Sequence, residues 1–95
     1  MAQNTDITLT AGDWTQLSNA DVSSDITFQN KTGDAIWLKA TVNSTKPTSF
    51  AGSIRYEPWQ GESQATIAEL FTGLKSPVRI WAWSHNGGAV AISHG

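Results

Sequence analysis

Apolar and polar positions alternate along most of this chain, and the three- and four-residue spacing of an amphipathic helix is nearly absent. Ile7-Thr8-Leu9-Thr10 reads as a first strand, and Ala11-Gly12-Asp13 turns it into Trp14-Thr15-Gln16-Leu17. A polar loop over 18–25 leads to Ile26-Thr27-Phe28-Gln29, which ends at the turn-forming run Asn30-Lys31-Thr32-Gly33-Asp34. Ala35 to Val42 is a longer strand, with Ile36, Leu38, Ala40 and Val42 on one face and Trp37, Lys39 and Thr41 on the other. After a polar connection with Pro47 comes the short strand Ser53-Ile54-Arg55-Tyr56, stopped by Pro58, with Trp59-Gln60-Gly61 extending the break. The one helical hint is Thr66 to Gly73, where Thr66 and Glu69 have capping-box spacing and Gly73 stands where a C-terminal cap belongs. It is one or two turns at most and reads equally as a short strand.

The segment Val78 to Ser93 carries the strongest local pattern. Two strand-like runs flank Asn86-Gly87-Gly88, a hairpin signal. A two-residue turn at Asn86-Gly87, or a four-residue loop from His85 to Gly88, sets Trp83 opposite Val90 and Trp81 opposite Ile92. Trp81, Trp83, Val90 and Ile92 then share a core-facing side, and Ile80, Ala82, Ala89 and Ala91 share the other. Both sides are apolar, so the second is expected to meet another layer or a neighbouring subunit. The whole pattern predicts an all-β fold, a small β-sandwich or barrel of seven to eight short antiparallel strands with at most one short helical turn.

Ninety-five residues make a single β domain, 1–95. Five tryptophans are many for this length. A fully buried one contributes up to about 4–6 kcal/mol, which compensates for a core short of Leu and Met, and a surplus points to a subunit interface or a sugar-binding face. The absence of cysteine excludes disulfides, thiolate metal sites and cysteine nucleophiles. It favours a prokaryotic or viral protein, held by packing or oligomerisation, over a stapled secreted scaffold. The N-terminal residues are polar, without the basic start and apolar core of a signal peptide, so the chain is expected to be made in the host cytoplasm and not secreted. No apolar run reaches the length of a membrane span. Six dispersed Lys and Arg, at a formal charge of −2, give no footprint for nucleic acid.

Catalytic chemistry has little to build on, and neither a cofactor nor a metal is expected. His85 at the predicted hairpin tip and His94 near the C-terminus are exposed turn and tail residues. Glu57 and Glu62 flank Pro58-Trp59-Gln60-Gly61 like a glycosidase carboxylate pair, but a deep cleft is out of reach for so short a chain, and they read as a solvated loop. The aspartates sit mainly in turns and form no spaced calcium loop. Tyr56 and Trp59, with Arg55, could form an aromatic shelf for a sugar ring, and Arg79 with Trp81 and Trp83 could form another.

The order of features resembles small structural proteins of tailed-bacteriophage virions, of the capsid decoration or cement type. The residues that carry the resemblance are Ile7 to Gln16, Ile26 to Asn30, Arg55-Tyr56-Glu57-Pro58 with Gly61-Glu62, Glu69-Leu70-Phe71 with Gly73, and Ala89 to Gly95. Trp59-Gln60 departs from it, standing where a smaller, glycine-like residue is expected. The resemblance implies a non-enzymatic β-sandwich on the head surface of the virion, a homo-oligomer with a trimer favoured, which clamps neighbouring copies of the major capsid protein. A tail or neck subunit is an alternative within the same class. A small carbohydrate-binding module using Trp59, Tyr56 and Trp83 is the alternative from another class.

Overall fold

Every run read as a strand is one, and an eighth joins them. The computed structural model describes residues 3–18, 25–42, 46–66, 71 and 78–94. Its strands are β1 (Gln3–Leu9), β2 (Asp13–Gln16), β3 (Asp25–Asn30), β4 (Ile36–Thr41), β5 (Ile54–Tyr56), β6 (Gly61–Thr66), β7 (Arg79–Ser84) and β8 (Gly88–His94), with no helix among the described residues. Thr66, read as the start of a helical turn, closes β6. Positions 67–70 and 72–73 of that expected turn lie outside the described residues.

Two four-stranded antiparallel sheets form, in the orders β1-β8-β3-β6 and β2-β7-β4-β5. Only β4 and β5 follow each other within one sheet; every other described connection crosses between sheets. This is the strand order of an eight-stranded jelly roll. Between the sheets lies one core, in which Leu9, Ile26, Phe28, Val90 and Ile92 of the first sheet face Ile36, Leu38, Ala40, Tyr56, Ile80 and Ala82 of the second.

The expected hairpin of Val78 to Ser93 does not form. β7 pairs with β2 and β4, whereas β8 pairs with β1 and β3. Asn86-Gly87-Gly88 is a turn, but one that carries the chain from one sheet into the other. β1 and β2 make the same crossing alongside, in unbroken register: Ile7 faces Val90, Leu9 faces Gly88, Asp13 faces Ser84 and Trp14 faces Trp83. The two chain segments are therefore one antiparallel ribbon bent over the core. Gly87 (φ 79°) and Gly88 (φ 111°) both occupy backbone conformations open mainly to glycine. A Cβ on Gly88 would lie 2.6 Å from the Thr32 methyl. The Ser84 hydroxyl locks the corner by donating to the Gly87 carbonyl at 3.0 Å.

Side-chain facing changes with the pairing. In a hairpin, opposed residues share a face; in a strand that bends from sheet to sheet, alternation runs on through the corner. Ile80 and Ala82 therefore point inward with Val90 and Ile92, and both are fully buried. They belong to the core and are not available to a neighbouring subunit. Trp81 and Trp83 point to the outside of the second sheet, not into the core as the hairpin required. Stacked sheets stand only about 10 Å apart, so alanine at position 82 fits between them where an indole would be overpacked.

Candidate functional site

The outer face of β2-β7-β4-β5 carries a second, smaller apolar layer. Strand pairing sets Trp14, Trp83 and Trp37 side by side across β2, β7 and β4. Trp37 and Trp83 meet edge to face at 5.4 Å. Phe50, from the loop between β4 and β5, lies over all three, its ring 5.5 Å from Trp14, 5.6 Å from Trp37 and 4.9 Å from Trp83. That loop is held down by Lys46, which pairs with Asp13 at 3.0 Å, and by Lys39, which donates to the Ser49 carbonyl. The Lys46 ammonium and the Trp14 backbone N–H, both bonding to Asp13, hold its carboxyl below the usual range. Trp81 donates its indole N–H to the Thr41 hydroxyl at 2.9 Å and is almost fully covered. Neither Trp81 nor Trp83 presents a free ring face with Arg79 as a shelf. This layer is structural covering.

Trp59 stands apart. It is 62 % exposed, the most exposed large apolar residue among the described residues. Glu57-Pro58-Trp59-Gln60 is a tight turn closed by Gln60 N–H donating to the Glu57 carbonyl at 3.0 Å. Pro58 supplies the fixed φ of the second position, and the third position then needs the positive φ that glycine takes easily. Trp59 occupies it at φ 68°, the one non-glycine residue in that region among the described residues. For a side chain with a Cβ this conformation costs about 1–2 kcal/mol. Under two fifths of the residue is covered, and that burial returns an amount of the same order. Trp59 is thus a strained residue with most of its surface in solvent.

Buried Asn30 holds this turn in place. Its Nδ2 donates to the carbonyls of Asp34 (2.8 Å), Tyr56 (3.2 Å) and Glu57 (3.1 Å), and its Oδ1 accepts from the Thr32 N–H and hydroxyl. The Asn30 backbone accepts from Trp59 N–H at 2.7 Å and donates to the Gln60 carbonyl at 2.8 Å. Gln29 Nε2 donates to the Trp59 carbonyl at 3.0 Å. Beside the ring, β3 and β6 run in close contact: a Cβ on Gly61 would fall 1.9 Å from the Phe28 carbonyl oxygen. A shallow groove of about 280 Å³ opens here, lined by Thr27, Phe28, Gln29, Trp59, Gly61, Glu62 and Ser63.

Tyr56 does not share the shelf expected with Trp59. It is buried against Phe28, edge to face at 4.8 Å, with its hydroxyl 3.4 Å from Glu62 Oε2. Burial and the neighbouring Glu62 carboxylate push its hydroxyl pKa up to about 12. Arg55 turns away as well, pairing with Glu57 at 2.9 Å and lying 5.7 Å over the Trp37 ring. Glu57 and Glu62 are thereby held by different partners.

On the outer face of β1-β8-β3-β6, register aligns Thr8 with Ala89, Asp6 with Ala91 and Gln29, and Ser93 with Thr27. Ala89 and Ala91, expected at an interface, are half-buried at the centre of this face of short side chains. His85 is exposed, its ring 6.3 Å from that of Trp83. Among the described residues no group of three or more His, Cys, Asp or Glu could hold a metal ion. Asn30 was hidden in a run that reads as a plain turn; its burial has no local signal. The Trp59 conformation had one, in Pro58 and in the expectation of a glycine-like residue. Comparison of the chain with protein-family models, curated proteins and solved structures returned no match.

Proposed function

We propose that the protein is a non-enzymatic structural component of a tailed-phage particle, a decoration protein that binds the major capsid protein on the head surface as a homo-oligomer, with a trimer favoured. The observation that carries the reading is the jelly-roll strand order, an architecture recurrent in capsid domains. The fold hosts many functions, and the resemblance carried by residues from Ile7 to Gly95 favours this one. The flat outer face of β1-β8-β3-β6 supports it further. Thr8, Ala89, Ala91, Ser93 and Thr27 leave short side chains across three strands, so another backbone can approach closely. A standard contact removes about 800 Å² per partner, a modest share of the 4987 Å² this chain exposes. Many such contacts repeated over a shell give avidity without any active site.

Two measurements test it. Light scattering should return a trimer, and the protein should co-sediment with capsids stripped of their accessory proteins. Ala91→Arg, on the exposed side of the sheet beside Asp6, should keep the fold and lose both properties. A monomer that ignores stripped capsids would sink the proposal, and a particle map showing it on tail or neck would move it there.

A further inference from the structure

We infer that the groove beside Trp59 is a binding site for a neutral saccharide, a single pyranose ring stacked on the exposed indole face. This inference is independent of the capsid reading. It begins with the backbone. Trp59 holds a conformation that glycine takes without strain, and the residue is 62 % exposed there. A strained residue left mostly in solvent is a mark of function.

The backbone that carries the ring is also firmly held. Trp59 N–H donates to Asn30, its carbonyl accepts from Gln29, and Asn30 is fully buried and ties down both ends of the turn. A preorganised aromatic face loses little freedom on binding. The lining of the groove defines the ligand. Trp59 shares this lining with Gln29, Ser63 and Glu62, all exposed polar residues. The Gln29 amide N–H already serves the Trp59 carbonyl and one Glu62 oxygen accepts from Tyr56, which leaves the Gln29 oxygen, the Ser63 hydroxyl and the second Glu62 oxygen for a ligand. Such groups match sugar hydroxyls, whose C–H face meanwhile covers the indole. A protein anchor would instead leave these groups desolvated and unpaired. Glu62 is the only charged residue in the lining, which disfavours anionic ligands. At about 280 Å³ and open to solvent, the groove has room for one ring and not for a buried chain.

Saturation-transfer NMR with the methyl glycosides of glucose, galactose, mannose and N-acetylglucosamine tests this. At least one should receive magnetisation, concentrated on the C–H protons of one ring face, with a dissociation constant of about 1 mM or below. Trp59→Gly and Trp59→Asn both accept the positive φ. Each should melt within about 5 °C of the parent and bind the sugar at least about tenfold more weakly. No transfer to any of the four sugars overturns the inference, as does transfer unchanged in both variants. If both variants unfold, the ring is structural and the inference fails. If they lose capsid binding while the parent binds no sugar, the ring is a protein contact and the inference fails while the decoration reading stands.

Discussion

Replacing Asn30 by alanine is the sharpest perturbation of the arrangement around Trp59. The side chain is fully buried; its amide serves three carbonyls through Nδ2 and accepts from the Thr32 N–H and hydroxyl through Oδ1. Some partners keep a second bond. With Asn30 Oδ1 gone, the Thr32 hydroxyl gives its one proton to the Asp34 carbonyl, 2.6 Å away, and the Glu57 carbonyl still accepts from Gln60 N–H at 3.0 Å. The Thr32 N–H and the Tyr56 carbonyl lose the partner this side chain provides. The loss of these two buried bonds, at about 1–3 kcal/mol each, amounts to about 4 kcal/mol. A domain of this size has about 5–14 kcal/mol in total, so the variant should fold but sit near its limit. In urea titrations followed by tryptophan fluorescence, with a slope near 1 kcal/mol per M, the midpoint should fall by about 3–4 M at unchanged slope. Asn30→Asp sharpens the test. Burial raises the carboxyl pKa above its unfolded value of about 3.9, so that variant gains stability as pH falls through the folded pKa and loses it towards neutrality. A midpoint shift under about 1 M for Asn30→Ala would refute the reasoning, because the turn would then be held by its own backbone.

Gly61→Ala should lower the melting temperature by at least about 10 °C, since its Cβ meets the Phe28 carbonyl, main chain that cannot step aside; a neutral result would mean that β6 is free to shift. Phe50→Ala should red-shift the tryptophan emission and cost about 1–2 kcal/mol, because it uncovers Trp14, Trp37 and Trp83 at once. Tyr56 is the sole tyrosine, so absorbance near 295 nm reports it alone and should rise around pH 12 in the folded protein. Its raised pKa stabilises the fold fully below about pH 10, a contribution lost as pH climbs from there through 12, and Glu62→Gln should lower the midpoint.

Alternation alone made seven strands legible, because an apolar residue at every second position can serve only a pleated element with one buried face. β6 was missed for the same reason. Gly61-Glu62-Ser63-Gln64-Ala65-Thr66 has no apolar alternation, and it is an edge strand that forms by pairing with β3. The turn at Asn86-Gly87-Gly88 was equally legible as a turn, since positive φ is a local demand. What the sequence could not assign was the partner of each strand. A hairpin and a crossing corner use the same residues, and the choice between them depends on β1, β2, β3 and β4, all distant in the chain. That choice moved Ile80 and Ala82 from a supposed interface into the core, and sent Trp81 and Trp83 outside. Around Trp59 the division is similar. Pro58 and the break after it announce a turn, a property of neighbouring residues. That the indole stands exposed in a glycine-like conformation beside Gln29, Glu62 and Ser63 was decided by tertiary structure, because the bonds that hold it there come from Asn30 and Gln29, on a strand some thirty residues away.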